Sequence, residues 1–310
     1  MKKKRASAKE VYALADLRNW SDATLDVDPP IRLGVFGDPV AHSLSPQIQN
    51  AALRSAKIEG QYARFQISPK ELRDALDRVR VLNLIGVNLT VPHKIAASEL
   101  VDDLDESARR IGAVNTIKID NGKLRGFNTD GKGFSRAIRE EFSVDLRDLR
   151  VMILGAGGAA RAIALQCARE NCERLVIANR TLEKAKKLAD ALRDLFAGPK
   201  VLGPVARLQA IAWEESAFRF QIANVDLIVN ATPLGLNRSD PSPIPARLLA
   251  PHLMIYDTVY SEIRAPFVSA AIEAGARAAN GLSMLLHQGA LSFEIWFERE
   301  APIDAMRAAL

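Results

Sequence analysis

The segment Arg150-Val-Met-Ile-Leu-Gly-Ala-Gly-Gly-Ala-Ala-Arg161 constrains the fold more than any other stretch of the chain. Residues 151–154 are a short apolar run, bounded by turn residues as a buried strand is. The run breaks into Gly155, Gly157 and Gly158, and a helix is predicted from about Ala159. Strand, glycine turn and helix N-terminus in that order form a dinucleotide site. Gly155 permits the tight turn, Gly157 lets a pyrophosphate approach the backbone, and the small Ala160 lets the helix pack on the strand. The free N–H groups and positive dipole end of the helix then meet the phosphates. Taken alone, the same residues also describe an ordinary strand–turn–helix corner. The next strand shifts the balance. Residues 174–178 lead into Asn179-Arg180-Thr181, about twenty residues on, where a carboxylate would hold the ribose hydroxyls of NAD. No carboxylate stands there to repel a 2′-phosphate, and Arg180 is there to pair with one, so the predicted cofactor is NADP.

A unit of this kind does not use up 310 residues, and the chain has length for two domains. The formal charge of +5 comes largely from Lys2, Lys3, Lys4 and Arg5. The remainder is close to neutral, which does not imply a nucleic-acid-binding surface. The two cysteines, Cys167 and Cys172, lack metal spacing and read as reduced, buried residues of a cytoplasmic protein. No apolar run reaches the roughly 20 residues of a membrane span, and the basic start lacks the apolar core of a signal peptide. Residues 1–30 hold a short helical pattern around Val11, Leu14 and Leu17, then the linker Asp26-Val-Asp-Pro-Pro30. They are expected to form an appendage, and deletion of residues 1–28 is expected to leave activity intact.

Residues 31–36 read as the first strand of the fold. Ser45 and Pro46 follow as predicted N-cap and first helical residue. Ser43 and Ser45 thus place two hydroxyls by a helix N-terminus, suited to a carboxylate. After a strand at 62–67 and a helix at 69–81 comes Leu84-Ile-Gly-Val-Asn-Leu-Thr-Val-Pro-His-Lys94. Asn88 and Thr90 lie two apart on a strand and face one side as candidate substrate contacts. Pro92 is predicted to open a helix with Lys94 in its first turn. There the dipole disfavours the cation and suits an amine that exchanges a proton. Residues 97–111 are predicted helical, including Glu106. A hairpin at 117–127 turns at Asn121-Gly122 and exits through Asn128-Thr-Asp-Gly131 into a helix at 132–142. Asp130 reads either as a cap or as a carboxylate that holds the Lys94 ammonium and a substrate hydroxyl.

From about 131 to 281 helices and strands alternate (strands 151–154, 174–178, 225–229 and 254–257), the pattern of a doubly wound parallel sheet. Asn230-Ala-Thr-Pro-Leu-Gly235 and Asp257-Thr-Val-Tyr260 leave strand carboxyl ends, where such sheets bind ligands. Residues 280–296 read as a turn into an apolar-striped helix that carries Gln288. A final helix at 302–310 is expected to pack back on the first domain.

The blocks HSLSP (42–46), GVNLTVPHK (86–94), GAVNT (112–116), FNTDG (127–131), GAGGAAR (155–161), NRT (179–181), NATPLG (230–235) and 280–296, in this order, closely resemble the shikimate dehydrogenase family over roughly residues 31–310. The resemblance implies an α/β chain with a substrate domain (31–130 and 282–310), a Rossmann NADP-binding domain (131–281) and an active site in the cleft. It implies NADP-dependent reduction of 3-dehydroshikimate to shikimate, by a monomer or homodimer with no nucleic-acid or membrane partner. Ser43 and Ser45 would hold the substrate carboxylate, with Tyr260 near it. Thr90, Lys94, Asn115, Asp130 and Gln288 would hold its hydroxyls, and Lys94 with Asp130 would transfer the proton. Gly155, Ala156, Gly157, Gly158, Ala159, Asn179, Arg180, Thr181, Thr258 and Gly281 would contact the cofactor, and Glu106 is grouped with them. The sequence departs from the family pattern at Gln49, where many members have His, at Ser261, Glu262 and Ala265 after Tyr260, and at Phe297-Glu298. A quinate or aminoshikimate dehydrogenase of the same fold is the nearest alternative, and a ligand sensor without catalysis is another. A short-chain dehydrogenase would need Tyr-x-x-x-Lys, which none of the four tyrosines supplies.

Overall fold

A computed structural model describes residues 9–82, 84–197, 206–237, 239–260 and 265–310. The basic run at 2–5 and the substitutions Ser261 and Glu262 lie outside them. The chain divides into two compact units, Met1–Thr129 with Gln288–Leu310, and Asp130–His287.

The first unit contains β1 (Tyr12–Ala13), α1 (Leu14–Arg18), α2 (Trp20–Ala23), β2 (Ile31–Gly37), α3 (Ser45–Ser55), β3 (Gln61–Gln66), α4 (Leu72–Val81), β4 (Gly86–Leu89), β5 (Asp103–Leu104), α5 (Glu106–Ile111), β6 (Thr116–Asp120) and β7 (Lys123–Phe127). Its sheet has the order β1-β3-β2-β4-β6-β7-β5. Strands β1 to β4 pair in parallel, and the hairpin β6–β7 runs antiparallel to β4 and to itself. Phe36, Phe65, Leu76, Val87 and Ile117 form part of one core.

The expectation of an appendage over 1–30 fails for its described part. Tyr12 pairs with Phe65 and Ala13 with Gln66 across the sheet edge. Tyr12, Leu14 and Leu17 are buried in the same core, and Tyr12, Trp20 and Phe65 form an aromatic group with centroids 5.6–6.0 Å apart. A two-residue strand has too little period to be recognised in sequence. Its register comes from the long-range partner Phe65.

The second unit contains α6 (Asp130–Phe142), β8 (Arg150–Leu154), α7 (Gly158–Arg169), β9 (Arg174–Asn179), α8 (Leu182–Leu192), β10 (Leu208–Ala212), α9 (Glu215–Ile222), β11 (Leu227–Asn230), β12 (Met254–Asp257), α10 (Pro266–Glu273) and β13 (Arg277–Ala279). The all-parallel sheet has the order β10-β9-β8-β11-β12-β13. With β8 counted first, this is 3-2-1-4-5-6, and the winding reverses between β8 and β11, where ligands bind. The edge strands β10 and β13 were not expected from sequence. Met152, Val176, Ile228, Ile255 and Phe267 lie in the core. Cys167 and Cys172 are buried thiols. Helix α11 (Leu282–Phe297) begins in the second unit and ends in the first, and α12 (Ile303–Arg307) packs on α3.

Candidate functional site

In the second unit the glycine turn sits at the switch point. Gly155 has φ +115°, where a side chain is strained, and a Cβ there would meet Ala231 O of the neighbouring strand exit at 2.8 Å. Its N–H donates to Ala178 O at 2.7 Å, which makes the turn and the 179–181 exit neighbours. At Gly157, the N-cap of α7, a Cβ would meet nothing within 4 Å. The backbone there is open to an anion at the head of a twelve-residue helix. Gly158 and Ala159 are half-buried in the first turn of α7, and Ala156 is buried beneath it. Asn179 donates from Nδ2 to Thr181 O at 2.9 Å, with Arg180 and Thr181 exposed and Thr181 as N-cap of α8. This donor set fits a dinucleotide carrying an extra phosphate.

Two further loops close the same end of the sheet. Asn230 donates to Leu234 O and to Asp257 Oδ1, both at 2.9 Å, and its Oδ1 accepts the N–H and hydroxyl of Thr232. Asp257 Oδ1 also accepts the Val259 N–H at 3.0 Å, while Oδ2 is buried with no hydrogen-bond partner among the described residues. Burial pushes the Asp257 carboxyl up to about 7. The sequence placed Asn230 and Asp257 at ligand-binding strand exits but not their pairing, because buried polar pairing has no periodic signal. Gly281 packs on Thr258, whose carbonyl oxygen would lie 2.3 Å from any Cβ, so glycine is required there by close approach. Tyr260 follows, half-buried.

In the first unit, α3 starts one residue earlier in role than expected. Leu44 is the N-cap and Ser45 the first helical residue, with no side-chain cap bond. The Ser43 hydroxyl instead accepts the Ser45 N–H at 3.3 Å. Arg64, not foreseen, donates from Nε (3.0 Å) and Nη2 (2.7 Å) to the Ser43 carbonyl and from Nη2 to Gln47 Oε1 (3.1 Å). A cation therefore braces the serine loop.

Lys94 is not in the first turn of a long helix. It lies in turns ahead of a four-residue 3-10 helix, Ala96–Glu99, and β5 and α5 replace the rest of the expected helix. The dipole argument for its chemistry loses its helix. The backbone is nevertheless held. Lys94 O accepts the Val114 N–H at 2.7 Å, and His93, buried beside it, donates from Nε2 to Ile67 O at 2.7 Å. Burial lowers the His93 pKa, which suits the neutral ring. Asp130 is the first residue of α6 rather than a cap before it, and is buried. Glu106 is exposed on α5 of the first unit, outside the unit with the glycine turn.

Asn115 and Gln288 do come together, with Asn115 Nδ2 3.3 Å from Gln288 Oε1. Asn88 and Thr90, read together as candidate substrate contacts, differ in burial and in their contacts within the chain. Thr90 lies just past β4, half-buried, whereas Asn88 is buried and committed within the chain. Its Oδ1 accepts the Tyr62 hydroxyl at 2.8 Å, and its Nδ2 meets Asn115 O, Thr116 Oγ1 and Ser292 Oγ at 3.0–3.1 Å. The sequence reading missed Tyr62, Thr116, Thr129 and Ser292. Thr116 and Thr129 lie in the blocks GAVNT and FNTDG but were given no role, and Ser292 is one helical turn beyond Gln288.

Residues 35–117 match the model of the shikimate dehydrogenase substrate binding domain, residues 136–201 that of shikimate / quinate 5-dehydrogenase, and residues 281–310 that of the shikimate 5'-dehydrogenase C-terminal domain. The shikimate dehydrogenase (NADP(+)) of Methanopyrus kandleri is 41% identical over 280 residues, 90% of this chain and 94% of that protein. Shikimate 5-dehydrogenase from Thermus thermophilus, solved with NADP(H) and shikimate, superposes with a TM-score of 0.76 at 36% identity, covering 90% of this chain and 100% of that one. Quinate dehydrogenase from Corynebacterium glutamicum, solved with NAD, gives 0.77 at 28% identity over 90% and 98%. The open glycine turn at the switch point and this likeness over nine-tenths of the chain lead to one conclusion: the chain belongs to the shikimate dehydrogenase family.

Proposed function

We propose that the chain is an NADP-linked oxidoreductase that interconverts 3-dehydroshikimate and shikimate, with the reductive direction serving chorismate and aromatic amino-acid synthesis in the cytoplasm. The observation that carries the cofactor is Arg180, exposed at the exit of β9, a strand tied to the open glycine turn by the Gly155 N–H to Ala178 O bond. The backbone from Gly155 to Ala159 holds the pyrophosphate, Asn179, Arg180 and Thr181 the 2′-phosphate end, and Thr258 and Gly281 the other end. When bound, NADP(H) supplies or takes up a hydride at the carbon that bears the reacting oxygen. Lys94 gives that oxygen its proton in reduction and takes it back in oxidation, and Asp130 holds the Lys94 ammonium. Ser43 and Ser45 grip the substrate carboxylate at the N-terminus of α3 with Tyr260 beside them. Thr90, Asn115, Asp130 and Gln288 sort the ring hydroxyls. Asn88 supports them from behind.

The experiment is to follow NADPH absorbance with shikimate and quinate crossed with NADP and NAD. Turnover fastest with shikimate and NADP is expected. Preference for quinate with NAD would reassign the enzyme to the neighbouring activity, and Arg180 speaks against that outcome. Lys94→Ala is expected to lower turnover about 10²- to 10⁴-fold with little change in shikimate affinity, and unchanged turnover removes Lys94 from the proton step.

A further inference from the structure

The Asn115 and Gln288 amides rest on a set of buried hydroxyls, Thr116 on β6, Thr129 before α6 and Ser292 on α11, all below one-twentieth exposure. An amide placed by shape alone has two equivalent senses. Here two contacts have fixed polarity. The Thr129 backbone N–H only donates, and it meets Asn115 at 2.9 Å, so the atom there is Oδ1. The Asn115 backbone carbonyl only accepts, and it meets Asn88 at 3.1 Å, so the atom there is Nδ2.

The remaining protons follow. Asn88 Nδ2 donates to Thr116 Oγ1 at 3.0 Å, and Thr116 passes its own hydroxyl proton to Asn115 Oδ1 at 2.9 Å. Ser292 Oγ donates to the Gln288 backbone carbonyl at 3.0 Å and lies 3.0 Å from Asn88 Nδ2, whose two protons are shared among three acceptors, and 2.8 Å from Thr116 Oγ1, where either hydroxyl can be the donor. Asn115 therefore turns Nδ2 to Thr129 Oγ1 (2.8 Å) and to Gln288 Oε1 (3.3 Å). Gln288 in turn directs its carbonyl end at Asn115 and its Nε2 away from it.

We propose that Thr116, donating directly to Asn115 Oδ1 beside the Thr129 backbone N–H, and Ser292, on the Gln288 carbonyl, are positioning residues that hold the Asn115 and Gln288 amides in one sense, so that Gln288 meets the ligand as a donor and selects an oxygen able to accept. This deepens the shikimate reading and rests on it for the ligand's identity. Glutamine and glutamate are then not equivalent at position 288, because a carboxylate could still accept from Asn115 Nδ2 but would turn an acceptor instead of a donor towards the ligand oxygen.

Thr116→Val removes the hydroxyl at nearly constant shape, and Thr116→Ser keeps it. For Thr116→Val the KM for shikimate is expected to rise about tenfold, as for loss of an oriented hydrogen bond, with kcat within about threefold and the KM for NADP unchanged. Thr116→Ser restores the wild-type KM. A parallel loss in both variants, or a fall in kcat alone, overturns the proposal. Ser292→Ala serves as the second variant if Thr116→Val does not fold, with the same expected split. The Asn115 side-chain amide, followed by hydrogen exchange in 15N-labelled protein, separates this idea from the substrate assignment. Its protons are slow in wild type and fast in Thr116→Val whatever the substrate. A fast-exchanging wild-type amide refutes the fixed sense, and absence of shikimate turnover refutes only the substrate reading.

Discussion

Asp257 is fully buried with one carboxylate oxygen lacking any partner among the described residues. Its pKa is raised to about 7, chiefly by burial. The folded chain thus keeps a proton that the unfolded chain releases near pH 4. Stability from this group is fully present below pH 4 and is lost as pH rises towards 7, by on the order of 4 kcal/mol in all, at roughly 1.4 kcal/mol for each pH step between the two values. Asp257→Asn imitates the neutral acid and is expected to remove that slope. Denaturant unfolding at pH 4.5 and 7.5 checks it, and equal pH dependence in the variant and the parent would show that Asp257 is ionised throughout. Arg180 is a different kind of residue, exposed and single. Arg180→Ala is expected to raise the KM for NADP about tenfold, the low end for a charge-assisted bond, and to leave that for NAD nearly unchanged. Equal losses would sink the phosphate role. Arg180 was legible in sequence because its position is fixed by strand counting. The roles of Asp257 and Arg64 were not, since each acquires its role only from residues brought up by the fold.

At the level of elements, the motif-bearing strands and the hairpin were legible because they are local: an apolar run, a glycine break, an Asn-Gly turn. What escaped was set by distant partners. Strand β1 exists because Phe65 offers an edge and a ring to Tyr12. The 3-10 helix after Lys94 replaces a longer helix because the chain leaves it to pair β5 with β7. The burial of Leu17 turns an expectation around. Removing residues 1–28 strips Tyr12, Leu14 and Leu17 from the core and bares the edge of β3. The shortened protein is expected to melt earlier and to aggregate, and Leu17→Ala alone to cost about 2–5 kcal/mol. Calorimetry of both decides it, and an unchanged melting temperature would return the segment to the status of an appendage.

For the whole molecule, the division of labour follows from two sheets built on different plans. The second sheet is wholly parallel and winds outward from one switch point, so its loops at a single end carry the groups suited to a dinucleotide. The first sheet is mixed, and its polar residues gather on β4, β6 and the C-terminal half of α11. Each unit has its own core. A ligand held by one unit should therefore stabilise that unit before the other. Saturating NADP at about 100 times its Kd adds roughly 2.7 kcal/mol to the state that binds it. Hydrogen exchange is expected to slow in β8, β9 and β11 and to change little in β2 and β3. α11 spans the division and should slow mainly over its first turns, up to His287. Equal slowing in both sheets would mean that the two units unfold as one cooperative body, and that the nucleotide governs the stability of the substrate-binding residues as well as its own site.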